Sequence, residues 1–253
     1  MAPTELTATE LQRYDRQIMI RQVGRAGQKR LKQASVVIAG AGGLGSPIAM
    51  YLAAAGVGHL TVIDCDTVET GNLNRQLLHW QKDVGRPKSA SALDKLTQIN
   101  PDIHVAVRSA TIDARTAPEL VTGCDAVVDA LDNLTTRYIV NQAAVACGIP
   151  FFHGAVNGFE GRAMTILPGQ SACLRCLYKG PVQQSVTPVI GVTPGIIGTI
   201  QATEVIKFLL GKGDLLTDRM IHYDGLAMVF HEYKVRRNPN CDHCGELFQY
   251  NRL

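Results

Sequence analysis

Four cysteines form two Cys-x-x-Cys pairs in the C-terminal third of the chain, Cys173 with Cys176 and Cys241 with Cys244. Two thiolates three positions apart can hold one side of a tetrahedral metal ion, and a second pair completes the four ligands. The pattern predicts a closed structural zinc site, although disulfides and buried free thiols remain alternatives for the same spacing. The total of seven cysteines is odd, and free thiols beside zinc are typical of a reducing cytoplasm.

A glycine-rich turn follows an apolar, β-branched run at residues 35–40. Gly40, Gly42 and Gly45 match the G-x-G-x-x-G pattern, with Gly43 inside it. Such glycines let the backbone turn tightly and approach phosphate, and the next helix offers free N–H groups. Asp64 ends the second predicted strand, where a carboxylate can accept hydrogen bonds from ribose hydroxyls. Taken alone, this turn favours an NAD or FAD dehydrogenase.

Three polar clusters point away from hydride transfer. They lie after the second predicted strand, at a helix start and after the fourth predicted strand, and they contain Asn72, Asn74, Arg75, Gln76, Lys88, Asp132 and Asn133. Arg75 and Lys88 supply positive charge for a triphosphate, and Asp132 is a suitable ligand for Mg²⁺, which binds carboxylates and phosphates. A dehydrogenase needs two phosphates and no metal, so the combination favours ATP over a dinucleotide.

Strands alternate with helices along the first part of the chain, which predicts a mostly parallel sheet covered on both faces. Predicted strands cover residues 35–40, 59–64, 104–109, 126–131 and 151–156, and helices cover 7–32, 46–56, 88–100 and 135–147. Further strands at 162–167 and within 220–235, with a helix at 195–210 between them, predict an antiparallel extension of the same sheet. The fold class is therefore α/β, Rossmann-like, extended by antiparallel strands and a four-cysteine zinc clamp.

We expect a single domain over residues 1–253, with an N-terminal helical segment (1–34), a nucleotide-binding half (35–157) and a second half with the zinc site (158–253). Residues 178–193 lack periodicity and contain two prolines, which indicates a loop.

The net charge of +3 and pI near 8.5 are too weakly basic to argue for nucleic-acid binding. The first ten residues lack the apolar run of a signal peptide, and no uncharged stretch is long enough to span a bilayer. We therefore expect a cytoplasmic protein without membrane or nucleic-acid partners.

The sequence resembles the ubiquitin-activating-enzyme-like superfamily, specifically its MoeB/ThiF group of adenylyltransferases. The resemblance covers nearly the whole chain and is carried by motifs in order: Arg13-Tyr-Asp-Arg16-Gln, Gly-Ala-Gly-Gly-Leu-Gly from Gly40, Asn-Leu-Asn-Arg-Gln from Asn72, Gly-Arg-Pro-Lys ending at Lys88, Asp-Ala-Leu-Asp-Asn ending at Asn133, both cysteine pairs, and Gln201-Ala-Thr-Glu204.

The resemblance implies that the C-terminal Gly-Gly carboxylate of a small ubiquitin-fold sulfur-carrier protein attacks the α-phosphate of ATP, forming an acyl-adenylate and releasing pyrophosphate. It implies that Asp64 holds the ribose, that Arg75 and Lys88 bind the phosphates with Asn72 and Gln76 nearby, and that Asp132 coordinates Mg²⁺. The arginine matching Arg16 reaches the partner protomer's site in this group, which implies a homodimer. The resemblance also implies that residues 1–253 form a single adenylation domain, in which residues 158–253 are the carrier-binding half.

One departure concerns the loop before the last helix, where many relatives carry a cysteine. This chain has no cysteine between residues 177 and 240, so we expect neither a thioester nor a persulfide on that loop. We also expect no rhodanese domain and an external sulfur donor. Alternatives that stay open are activation of a small carboxylate or a tRNA base, and a scaffold that binds the carrier without turnover.

Overall fold

A computed structural model of the chain describes residues 5–178 and 188–245. Within them, eight strands form one sheet in the order β3-β2-β1-β4-β5-β6-β7-β8. The strands are β1 (Ser35–Ala39), β2 (His59–Ile63), β3 (His104–Arg108), β4 (Ala126–Asp129), β5 (Phe151–Asn157), β6 (Glu160–Ile166), β7 (Arg219–Asp224) and β8 (Val229–Lys234). The first five pair in parallel, and the β5–β6, β6–β7 and β7–β8 pairs are antiparallel.

Helices cover both faces of the parallel half. In the described residues they are α1 (Ala8–Arg13), α2 (Asp15–Ile18), α3 (Gly24–Gln33), α4 (Gly45–Ala55), α5 (Lys88–Ile99), α6 (Ala117–Val121), α7 (Leu134–Ala146), α8 (Leu174–Leu177) and α9 (Val192–Leu210). Alternate residues of β1 enter opposite cores: Val36 and Ile38 belong to one apolar cluster, while Val37 belongs to the other. The predicted α/β fold with an antiparallel extension is confirmed.

The continuous N-terminal helix predicted over residues 7–32 is wrong in detail, because the segment divides into α1, α2 and α3. Tyr14, between α1 and α2, is 2% exposed, and its hydroxyl accepts a hydrogen bond from the Asn100 side chain at 2.8 Å. Gly24 at the start of α3 has a φ of +56°, which a regular helix does not contain. Burial of one aromatic ring and a left-handed glycine therefore interrupt a helical sequence pattern.

The last helix begins at Val192, three residues before its predicted start, with Pro194 in the first turn, where its missing N–H leaves no helical hydrogen bond unmade. Most of the loop predicted at 178–193 lies outside the described residues. None of the helices that the structure describes is long and apolar enough to cross a membrane.

Candidate functional site

A cavity of about 1050 Å³ opens at the carboxyl ends of the parallel strands. In open α/β sheets this edge is where ligands bind. Nine of the predicted site residues line the cavity together: Gly40, Gly42, Gly43, Asp64, Arg75, Gln76, Lys88, Asp132 and Asn133. The fold thus brings the glycine turn, the two phosphate-binding candidates and the magnesium candidate to one space.

The glycines of the turn are favoured at their positions for different geometric reasons. Gly40 has a φ of +105°, and a Cβ there would lie 2.6 Å from the carbonyl oxygen of Ala130. A Cβ on Gly45 would lie 2.0 Å from the carbonyl oxygen of Gly40, so both positions exclude a side chain. Gly42 is different, because the nearest atom to an added Cβ is the Gln76 amide nitrogen at 3.6 Å. Its open side faces the cavity, where backbone can approach a phosphate.

Both backbone polar groups of Ala41, which lies in the turn, have side-chain partners. Its N–H donates to Asp64 Oδ2 at 2.8 Å, and its carbonyl lies 2.9 Å from His79 Nε2. Burial lowers the pKa of His79, so the ring is neutral and Nε2 must carry the proton that the carbonyl accepts. Nδ1 then accepts from the Ser91 hydroxyl at 2.8 Å. The turn is fixed before any ligand arrives.

Arg75 and Lys88 differ in how their charges are balanced. Arg75 donates to the carbonyl of Gly71 at 2.7 Å and to Asn74 Oδ1 at 3.0 Å, both neutral acceptors. Lys88 Nζ lies 2.8 Å from Asp66 Oδ2, and the lysine side chain is 7% exposed. Among the described residues, the guanidinium therefore has no carboxylate partner, whereas the ammonium shares its charge with Asp66.

Asp132 is exposed at the start of the loop that leads into α7. The Asn133 amide lies 3.3 Å from its Oδ1, while Asn133 Oδ1 accepts from the N–H of Thr136 at 2.9 Å as the N-cap of α7. No basic side chain pairs with Asp132 within the described parts of the chain. A carboxylate in this setting has lone pairs available for a divalent cation.

Four predicted site residues do not line the cavity of this single chain. Gly45 packs the turn, Asn74 supports Arg75, and Asn72 Oδ1 accepts the N–H of Glu69 at 3.1 Å in a local turn. Arg16 is exposed on α2. Sequence position alone did not separate these residues from those that line the cavity. Gly45 and Asn74 contact residues of the site directly, and the Asn72 carbonyl accepts the N–H groups of Arg75 at 3.1 Å and Gln76 at 2.9 Å.

Two further residues of the cavity carry no sequence motif. Arg162 on β6 lines the cavity, half-buried, and no carboxylate among the described residues pairs with it. Glu160 lies two positions earlier and is 3.3 Å from His222 Nε2. Both lie in the antiparallel half, so the cavity extends beyond the predicted nucleotide-binding half. Alternation along β6 was the only signal that could have placed them on one face.

The four paired cysteines lie together and buried, with their sulfurs within 4.8 Å of one another. The Sγ atoms of Cys173 and Cys241 are 3.6 Å apart, as are those of Cys176 and Cys244, and Cys173 and Cys176 are 4.0 Å apart. A disulfide would require about 2.0 Å, whereas four sulfurs about 2.3 Å from one tetrahedral zinc ion lie about 3.8 Å apart. The geometry fits a shared metal ion.

Burial and mutual hydrogen bonds shift the pKa values of the clustered cysteines in opposite directions. A hydrogen bond from the Cys173 thiol lowers the pKa of Cys244 to about 5. The same hydrogen bond, together with burial, raises the pKa of Cys173. Buried sulfurs that compete in this way are stabilised as thiolates by a divalent cation.

Comparison with known proteins decides the family. Residues 14–243 match the ThiF family. The chain belongs to the ThiF family. It is 46% identical over 247 residues to the SAMP-activating enzyme E1 of Haloferax volcanii, covering 95% of this chain and 91% of that protein. It is 43% identical over 251 residues to the sulfur carrier protein adenylyltransferase of Thermus thermophilus, covering 95% and 93%.

A solved structure of E. coli MccB with ATP matches the fold with a TM-score of 0.84 at 25% identity, covering 94% of this chain and 75% of that chain. The family match and these relatives confirm the predicted adenylyltransferase of the MoeB/ThiF type.

Proposed function

We propose that this ThiF-family enzyme adenylylates the C-terminal Gly-Gly carboxylate of a ubiquitin-like sulfur-carrier protein with Mg²⁺ and ATP. The observation that carries the proposal is one cavity lined by the glycine turn, Arg75, Lys88 and Asp132. The names of the relatives from Haloferax volcanii and Thermus thermophilus support the choice of a carrier protein. Both relatives are far more similar in sequence to the chain than MccB is.

In the proposed reaction, a carboxylate oxygen of the carrier forms a bond to the α-phosphorus of ATP. The bond from that phosphorus to the bridging oxygen breaks, and pyrophosphate leaves with the electron pair. This step needs no protein nucleophile, so catalysis consists of alignment and charge stabilisation. Asp64 would hold the ribose, while the amides at Gly42 and Gly43, Arg75 and Lys88 would hold the phosphates.

Asp132 is proposed to hold the magnesium ion, which would offset charge on the phosphates. Lys88 would exchange part of its contact with Asp66 for a phosphate oxygen, since both acceptors are anions. The four clustered cysteines are proposed to hold one structural zinc ion. All four ligand positions are then filled by sulfur, which leaves no position for a catalytic water.

The test is exchange of labelled pyrophosphate into ATP, using candidate host proteins of ubiquitin fold that end in Gly-Gly. We expect exchange that requires both the carrier and magnesium. Asp132→Ala and Lys88→Ala should each reduce it on the order of 100-fold, a typical loss for electrostatic groups in active sites. A carrier lacking its last glycine is the control. Wild-type exchange rates in both variants would contradict the site, and exchange independent of any carrier would contradict the substrate.

A homodimer with shared sites is also proposed, because Arg16 is exposed and lies outside the cavity of its own chain. Met19 and Ile20 follow it and are 69% and 51% exposed, which is apolar area that a partner protomer would cover. Mixing inactive Arg16→Ala protomers with inactive Asp132→Ala protomers should restore part of the exchange activity. Confirmed subunit exchange without recovery would contradict a site completed in trans.

A further inference from the structure

His153 on β5 is fully buried between two polar partners. Its Nδ1 lies 2.7 Å from Asp129 Oδ2 and its Nε2 lies 3.2 Å from the Tyr178 hydroxyl. Burial lowers the pKa of His153, so the ring is neutral and carries one proton. That proton lies on Nδ1, because a carboxylate only accepts, and Nε2 then accepts from Tyr178. Each hydrogen bond has a fixed direction.

Asp129 links His153 to the loop that carries Asp132. Its Oδ1 accepts the N–H of Leu131 at 3.1 Å and lies 3.5 Å from Arg137 Nε. Arg137 in turn donates to the carbonyl of Leu131. Both backbone polar groups of Leu131, the residue before Asp132, are therefore bound by the Asp129–Arg137 pair. A shift of Asp129 would move the exposed carboxylate of Asp132.

On the other side of His153, Tyr178 connects this series of hydrogen bonds to the segment that carries Cys173 and Cys176. It follows α8, which begins after Cys173 and contains Cys176, and its N–H donates to the carbonyl of Leu174 at 3.0 Å. Its own carbonyl accepts from the Tyr138 hydroxyl at 3.0 Å. The Tyr178 ring meets the His153 ring edge-on at 5.7 Å. Tyr178 is thus held at its hydroxyl, its N–H and its carbonyl.

We propose that His153 is a positioning residue that couples Tyr178 to the loop carrying Asp132, and thereby sets the affinity for magnesium-bound nucleotide. The inference rests on the proposed function in that Asp132 is taken as the magnesium ligand. His153 and Asp129 are register partners on neighbouring strands β5 and β4, so the sheet itself holds them in place. The cysteine-bearing segment is in this way connected to the cavity through the side chains of Tyr178, His153 and Asp129 and the backbone of Leu131.

A purely structural role would be to satisfy the buried carboxylate of Asp129. The two roles differ in what they predict for nucleotide binding with and without magnesium. A structural defect weakens both, whereas displacement of Asp132 weakens only the magnesium-dependent part. They also differ for Tyr178, because loss of its hydroxyl leaves the hydrogen bond between His153 and Asp129 in place.

The experiment is calorimetric ATP binding to the full chain without a carrier, in magnesium and in EDTA. His153→Asn keeps a donor near the position of Nδ1 and removes the contact with Tyr178, and Tyr178→Phe removes the same contact from the other side. We expect each to weaken binding in magnesium about ten-fold, to change binding in EDTA less than two-fold, and to leave the zinc content unchanged. The double variant should be no weaker than either single one, because all three lack the same hydrogen bond. Tyr51→Phe, at an exposed tyrosine of α4, is the matched control.

Wild-type affinity in the single variants, additive losses in the double variant, or equal losses in magnesium and EDTA would each overturn the inference. Because the ATP-binding experiment contains no carrier, its outcome can be distinguished from the outcome of the pyrophosphate-exchange test of the proposed function. Normal magnesium-dependent ATP binding with no exchange toward any Gly-Gly protein would contradict the carrier substrate and leave the coupling through His153 standing.

Discussion

Strands β1 and β8 show how differently the two halves of the sheet are constructed. β1 lies between two parallel neighbours with four of its five residues buried, whereas all six residues of β8 are exposed at the antiparallel edge. The parallel half encloses a glycine turn fixed by hydrogen bonds to Asp64 and His79. The antiparallel half instead leaves large side chains uncovered, among them Phe230 at 55% and Tyr233 at 50% exposure.

This contrast indicates that the two halves are suited to different kinds of ligand. A small ligand such as a nucleotide is bound best by a site that is already formed, because little ordering is needed on binding. A protein partner covers a larger area, and uncovered aromatic side chains are typical of surfaces that such partners cover. The cavity joins the halves, since its lining includes Gly40 of the parallel half and Arg162 of the antiparallel half.

The largest expected effect concerns the cysteine cluster, which belongs to the antiparallel half in sequence. Replacing both Cys176 and Cys244 by serine should abolish zinc binding, because two of the four ligands are lost. The zinc content per chain measures this. A loss of about 5 kcal/mol would lower the melting temperature by roughly 10–20 °C in a chain of this size. Cys124→Ser, outside the cluster, is the control and should keep the zinc. A wild type that is equally stable after complete zinc removal would contradict a structural metal.

The next effect tests how much a buried ion pair stabilises the parallel half. Asp83 is fully buried and pairs with Lys95 and Arg86 beside the helix that begins at Lys88. Burial raises the pKa of Asp83, but hydrogen bonds from Lys95 and the Trp80 N–H outweigh it and lower the pKa from 3.8 to about 2. At about 1.4 kcal/mol per pKa unit, this shift contributes about 2 kcal/mol.

Because the pKa of folded Asp83 lies below its unfolded value, protonation favours the unfolded chain. The contribution is therefore complete above pH 4 and is lost as the pH falls from about 4 to about 2. Asp83→Asn should lower the free energy of unfolding at pH 7 and flatten its dependence on pH in this window. Asp94→Asn is the matched control, since Asp94 is half-exposed at 2.6 Å from the same Arg86 and should cost under about 1 kcal/mol. Urea unfolding at several pH values measures the free energy of unfolding of each variant. The same pH dependence of this free energy in wild type and Asp83→Asn would contradict the ion-pair argument.

The same contrast explains what could be predicted from sequence. The strands and the glycine turn were predictable because their signals are local: β-branched runs, glycines at fixed spacing and an acid at a strand end. The contact between Asp129 and His153 was not, because it depends on the pairing of β4 with β5 across 24 residues. Arg162 was missed for a similar reason, since only the register of β6 brings it to the cavity. The interrupted N-terminal helix depended on the burial of Tyr14, which helical periodicity does not report.

The smallest expected effect concerns the face of β8 on which a carrier would dock. Tyr233 is paired with Met220 and its ring lies 6.1 Å from that of His222, which is the register partner of Arg162. This places Tyr233 on the face that continues into the cavity. Phe230 lies on the opposite face, where its ring is 5.0 Å from that of Tyr223. The two aromatic residues of one strand therefore form a matched pair.

Tyr233→Ser should raise the KM for the carrier about ten-fold, which corresponds to about 1.4 kcal/mol of binding energy. ATP affinity measured without the carrier should not change, because no residue of the preformed cavity is altered. Phe230→Ser should leave both quantities within about two-fold of wild type. Pyrophosphate exchange at varied carrier concentration provides the KM values. If Phe230→Ser weakens carrier binding and Tyr233→Ser does not, the carrier docks on the other face, and the tail must reach the cavity around the edge of β8.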